Sequence, residues 1–173
     1  MAKYLELRRH TDSDDDQLSE EGVLEALRVG EQLEGGYDVL ISSGAQRATQ
    51  TLGCFLAALG ERVRRGVVVE TGLRSEVEDR WKAAYQEAGS GELSAFREVD
   101  PELVEQDSAR LGEALRRVLD ALPDRCRALA VGHSPTNEAA VLGLTGETVE
   151  SMGKGEGVLI EVDGDDFHVR PLG

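Results

Sequence analysis

The sequence predicts an α/β fold of three layers, a mainly parallel sheet with helices on both faces and an antiparallel hairpin at the C-terminus. Three observations carry this. Short apolar runs near residues 3–8, 38–42, 67–70 and 127–132 alternate with helix-like stretches, the pattern of parallel strands joined by crossover helices. The runs at 158–162 and 167–169 flank Asp163-Gly164-Asp165-Asp166, a hairpin signal. The chain has 173 residues, enough for one domain with a substantial core.

Each element has its own local signal. Residues 3–8 read as a strand of mixed character, because Glu6 and Arg8 interrupt the apolar positions. Residues 11–16 read as a polar, acidic loop. Leu18-Ser19-Glu20-Glu21-Gly22 opens a helix with Ser19 as N-cap, and Val23, Leu24, Leu27 and Leu33 follow at near-helical spacing. Gly35-Gly36 ends it. Residues 38–42 form a short buried strand, and 46–59 a second helix. Residues 67–70 are a third strand. Residues 75–88 look helical and charged, with Trp81 and Tyr85 on one face as packing residues, and Gly89-Ser90-Gly91 breaks the pattern. A long amphipathic helix over 101–122 carries Leu103, Leu111, Leu115, Val118, Leu119 and Leu122 before Pro123 stops it. A strand at 127–132 and a helix at 135–144 precede the hairpin. No repeat or linker divides the chain, so residues 1–173 are expected to form a single domain, with 75–100 as a lid or insertion.

Composition narrows the function. Aromatic residues are only 4% of the chain, and the formal charge is −15. Such a surface repels nucleic acid and anionic membranes, and it lacks the aromatics needed to stack bases. Any phosphate site must therefore work through local charge, from arginines and helix N-termini. Cys54 and Cys126 show neither metal spacing nor a Cys-x-x-Cys motif; buried free thiols in a reducing compartment are expected. There is no N-terminal apolar leader segment and no long apolar run, so a soluble cytoplasmic protein is expected.

The chemistry lies in four segments. His10 follows the first strand in Leu7-Arg8-Arg9-His10, and His133 follows a later one in Val131-Gly132-His133-Ser134. Arg47 lies just after Ser42-Ser43-Gly44-Ala45-Gln46, again at a strand-to-helix junction. Sites in open α/β sheets lie at the carboxyl ends of strands, so Arg9, His10, Arg47 and His133 can share a pocket. An imidazole can attack phosphorus, and guanidinium forks match phosphate oxygens. His10 is thus the expected nucleophile. Arg9, Arg47, His133 and Ser134 are the expected phosphate ligands. A general acid is also needed: Glu76 is the first choice and Asp12 the second. The run Asp14-Asp15-Asp16 lacks the alternating spacing of a calcium loop and reads as a solvated loop. Ser134 lacks the Gly-x-Ser-x-Gly context of a serine nucleophile.

These segments, with Ser43-Gly44-Ala45-Gln46-Arg47-Ala48-Thr49 and Gly72-Leu73-Arg74-Ser75-Glu76, together resemble the histidine phosphatase superfamily, also called phosphoglycerate mutase-like. The resemblance covers nearly the whole chain. It implies a three-layer α/β fold, a phosphohistidine at His10, phosphate binding by Arg9, Arg47 and His133, and no required metal or other cofactor. The compact length is similar to the small branch that includes protein phosphohistidine phosphatases of the SixA type. Two features depart from the family pattern. Thr11 replaces the usual glycine after the catalytic histidine, and Asp12, Asp14, Asp15 and Asp16 follow where many members place a neutral polar residue that contacts phosphate. Both weaken a mutase reading.

The leading expectation is therefore a metal-independent phosphatase, acting on a phosphorylated small molecule or a phosphohistidine protein. A phosphoglycerate mutase-like phosphotransferase and a non-catalytic phosphate- or partner-binding domain are the alternatives. The sequence leaves oligomeric state and natural substrate open.

Overall fold

The structure is a computed structural model that describes residues 2–173. Among the described residues, one sheet has the order β5-β4-β6-β1-β7-β8. Its strands are β1 (Lys3–Arg9), β4 (Val39–Ser42), β5 (Val67–Val69), β6 (Arg127–Gly132), β7 (Gly157–Asp163) and β8 (Asp166–Leu172). β5, β4, β6 and β1 run parallel. β7 returns antiparallel to β1, and β8 antiparallel to β7. A separate two-stranded ladder, β2 (Ser13–Asp14) with β3 (Gln17–Leu18), shapes the acidic loop. The expected three-layer architecture is the one observed.

Alternation along the strands sorts side chains to two cores. Leu40, Leu129 and Val131 face α1 (Glu20–Gln32) and α2 (Gln46–Leu59), joining Ala26, Ala48, Leu52 and Phe55. Val39, Ile41, Ala128 and Ala130 face the other way. There they meet α5 (Pro101–Ala121) and α6 (Thr136–Thr145) through Leu111, Leu115, Leu119 and Ala140. The charged positions in β1 follow the same alternation. Glu6 and Arg8 are buried and bonded to each other, Arg8 Nε donating to Glu6 Oε2 at 3.2 Å, while the Tyr37 hydroxyl donates to Glu6 Oε1 at 2.8 Å. A buried charge left unpaired costs several kcal/mol; this pairing is what admits two charges to a central strand.

Residues 75–100 contain two helices, α3 (Glu78–Ala88) and α4 (Leu93–Val99). Trp81, Leu93 and Phe96 bury themselves in the α5 core. Asp107 on α5 holds this layer down, accepting from Trp81 Nε1 at 2.6 Å and from Ser75 Oγ at 2.7 Å. The first helix has the expected N-cap: Ser19 Oγ accepts from Gly22 N at 3.0 Å. Cys54 and Cys126 are free thiols, Cys126 buried and Cys54 half-buried. No helix among the described residues is long and apolar enough to cross a membrane.

α5 and α6 touch through Gly112 and Gly143. A Cβ on Gly143 would overlap the Ser108 carbonyl oxygen. Gly143→Ala is therefore expected to lower stability by about 1–3 kcal/mol, the usual cost of overpacking. Denaturant unfolding checks this, and an unchanged midpoint would show that the two helices separate without cost.

Candidate active site

Three adjacent parallel strands end together and carry the site at their tips. Arg9 on β1 is level with Gly132 on β6, and Ser42 on β4 is level with Val131. The next residues, His10, His133 and Ser43, therefore emerge side by side. Backbone bonds extend the pairing one step, from His10 N to Gly132 O at 3.1 Å and from Ser43 N to Val131 O at 3.2 Å. The imidazoles of His10 and His133 meet edge to face with centroids 5.3 Å apart. Arg9, His10, Arg47, His133 and Ser134 all line one cavity of about 630 Å³.

His10 has a defined tautomer. Its Nδ1 lies 2.7 Å from the Thr11 carbonyl oxygen, which can only accept, so Nδ1 carries the proton and Nε2 keeps its lone pair. Burial lowers the His10 pKa to about 4, and the neighbouring Arg47, Arg9 and Lys154 add to that against the Thr11 bond. Burial also takes His133 down to about 2, helped by Arg47, His10 and Arg74 and opposed by Asp16. Its Nε2 is 2.8 Å from Ser43 Oγ. Both rings are neutral at physiological pH.

The arginines are oriented by other groups. The Arg9 Nη1 donates to the Met152 carbonyl at 2.9 Å, while its backbone is held by Glu156 and Gly155. Arg47, in the first turn of α2, donates from Nη1 to Asp16 Oδ1 at 2.8 Å and from Nη2 to Glu78 Oε2 at 3.5 Å. Glu78 also accepts from Arg74 Nε at 2.6 Å. Ser134 Oγ donates to Glu138, a buried carboxyl whose pKa is raised by desolvation.

A sequence model of the histidine phosphatase superfamily (branch 1) matches residues 3–161. The chain belongs to this superfamily. Solved histidine phosphatase-fold structures agree in architecture. The phosphoglycerate mutase from Bacillus anthracis is 19% identical, with TM-score 0.73, over 99% of this chain and 92% of that one. The alpha-ribazole phosphatase from Shigella flexneri is 17% identical, with TM-score 0.68, over 99% and 96%. The SixA protein from Agrobacterium tumefaciens is 17% identical, with TM-score 0.62, over 98% and 97%. No curated protein sequence matches the chain.

Neither of the two acids expected from the sequence lines the cavity. Glu76 is 73% exposed at its side chain and pairs with Arg110 Nη1 at 2.6 Å, outside the cavity lining. The reason is local: Ser75 Oγ accepts from Val77 N and α3 starts only at Glu78, which turns Glu76 outward. Asp12 is tied to Lys154 and Ser19, which hold its carboxyl below the usual range and suit it poorly to donating a proton. The carboxyl that does line the cavity beside Arg47 is Glu78, with Asp79 next to it. The sequence offered only the Arg74/Glu78 spacing of four, and because Arg74 lies outside α3 no helical face singled Glu78 out. Asp16, expected in solvent, instead binds Arg47. Ser43 and Glu138 carry no signal short of the fold.

The buried neutral histidines link stability to pH. Each has a folded pKa below its ordinary 6.5, so the unfolded chain binds more protons between the two values and stability is lost as pH falls. The contribution is complete above about pH 7. It should decline below about 6.5, by at most about 1.4 kcal/mol per pH unit for each histidine. Glu138, with its raised carboxyl, opposes this slope. Comparing wild type with His133→Asn isolates the histidine: the variant should have the shallower decline between about pH 6.5 and 5 in denaturant titrations, and equal slopes would contradict the assignment.

Proposed function

We propose that the protein is a phosphatase that hydrolyses small-molecule phosphomonoesters through a phosphohistidine at His10. The observation that carries this is the His10 tautomer, with its proton on Nδ1 against Thr11 and an unprotonated Nε2, in a cavity shared with Arg9, Arg47 and His133. Nε2 attacks phosphorus and the bond to the leaving oxygen breaks. Arg9, Arg47 and His133 take the phosphoryl oxygens and the charge that spreads over them. The leaving oxygen takes its proton from solvent, and Glu78, the carboxylate beside Arg47, takes one from the water that then breaks the P–N bond. This regenerates His10 and releases orthophosphate.

The cavity suggests the rest of the substrate. At about 630 Å³ it is far larger than a phosphoryl group, and Trp81, Tyr85, Phe96 and Pro135 line it. The chain has three phenylalanines, three tyrosines and one tryptophan, so three of its seven aromatic residues line this one cavity. Tyr85 is 54% exposed and its ring lies 6.2 Å from that of Phe96. Trp81 and Phe96 lie behind it at 3% and 0% exposure, so Tyr85 is the aromatic face open to a substrate, and it favours a leaving group with an apolar or planar body.

Hydrolysis of an aryl phosphate with EDTA present tests the reading. Wild type should turn over and His10→Ala should lose activity by at least about a thousandfold, as expected on losing a nucleophile. Equal activity in both would refute it. Tyr85→Ala should raise KM for the aryl phosphate by roughly tenfold, about the size of one lost aromatic contact, with kcat little changed. A fall in kcat with KM intact would remove the aromatic wall from substrate binding.

A further inference from the structure

Arg47, the guanidinium at the centre of the proposed phosphate site, already holds a carboxylate from its own chain. Asp16 Oδ1 accepts from Arg47 Nη1 at 2.8 Å and from the Arg47 backbone N at 3.4 Å. α2 has no side-chain cap of its own, because its N-cap residue is Ala45. Asp16 thus sits where an anion would sit, at a helix N-terminus and on an arginine fork. It also lies close enough to act on the His133 imidazole, whose pKa it pushes upward. The Asp16 side chain is 45% exposed and Arg47 only 15%; Arg47 and Glu78 line the cavity and Asp16 does not, so Asp16 occupies one arm of the fork from outside the lining while Glu78 holds the other from within.

We propose that Asp16 is a specificity-determining residue, a fixed negative charge that weakens the site's grip on doubly ionised phosphoryl groups relative to singly ionised ones. A phosphate bound to Arg47 must share the guanidinium with this carboxylate, and the repulsion grows with the charge on the phosphoryl group. Free orthophosphate dianion, with no body to contact the aromatic wall, suffers most, so the product leaves readily. This inference rests on the reading of the cavity as a phosphoryl site, not on turnover.

Titration calorimetry at one pH, with orthophosphate as ligand, separates the two. Asp16→Asn keeps the size and the ability to cap α2 but removes the charge. It should bind orthophosphate roughly tenfold more tightly than wild type, the effect of one partly screened charge a few ångströms away. In turnover assays its KM should fall by a similar factor for an aryl phosphate dianion and by clearly less for the phosphoramidate monoanion. Asp14→Asn, on the exposed part of the same loop, should change neither. Asp16→Ser carries the same expectation as Asp16→Asn and covers a failure of that variant to fold. Weaker orthophosphate binding by the Asp16 variants would overturn the proposal, since Asp16 would then only orient Arg47. An equal gain in Asp14→Asn would overturn it too, by showing a long-range charge effect. Tight orthophosphate binding without turnover would sink the phosphatase reading alone, and no binding by any variant would remove both.

Discussion

Parallel pairing of β1 with β6 is the constraint on which the site depends. Arg9 lies level with Gly132, so the residue after each is a histidine at the same height on the same sheet edge. A slip of one residue would turn one imidazole to the opposite face. The register is held from both sides. The apolar alternation of Leu5 and Leu7 faces one core, and the Glu6–Arg8–Tyr37 cluster fixes the other. Asn137 adds a lock at the tip: its Nδ2 donates to the Arg8 carbonyl at 3.1 Å and its Oδ1 accepts from His133 N at 3.3 Å.

On the proposed function, a chain of net charge −15 makes its place for a phosphate by local means. It does so by burying neutral imidazoles beside guanidiniums. Protonation of either ring would add a cation to a desolvated, already positive region, and the depressed pKa values of His10 and His133 express that cost. The arginines are in turn held by acceptors, Met152 for Arg9 and Asp16 and Glu78 for Arg47. Those acceptors come from three separate segments of the chain. The site is therefore pre-organised by the loops around the strand tips as much as by the strands themselves.

Much of this was legible in the sequence because it rests on local patterns. Alternating strand and helix periodicity marked nearly every layer, and the Arg9-His10 and Gly132-His133 junctions announced where chemistry could sit. The hairpin around Gly164 followed from turn chemistry alone. What the sequence concealed depends on tertiary direction. Glu76 and Glu78 differ by two residues, which on a helix is close to opposite faces, and only the start of α3 decides which one meets Arg47. Asp16 reads as one more solvated acid until the β2–β3 ladder folds it back onto α2. The loop before β7, which supplies Met152 and Lys154, has no periodicity to read. Tyr85 and Trp81 share a helical face, yet one is buried against Asp107 and the other reaches the cavity mouth.

The central claim is that His10 carries the phosphoryl group. Intact-protein mass spectrometry after rapid mixing with phosphoramidate, followed by peptide mapping under alkaline conditions, tests it most directly. The account predicts one acid-labile phosphoryl adduct on the His10 peptide, absent when His10 is replaced. An adduct on His133 or on Ser134, or a phosphorylated protein in which His10 is untouched, would contradict it.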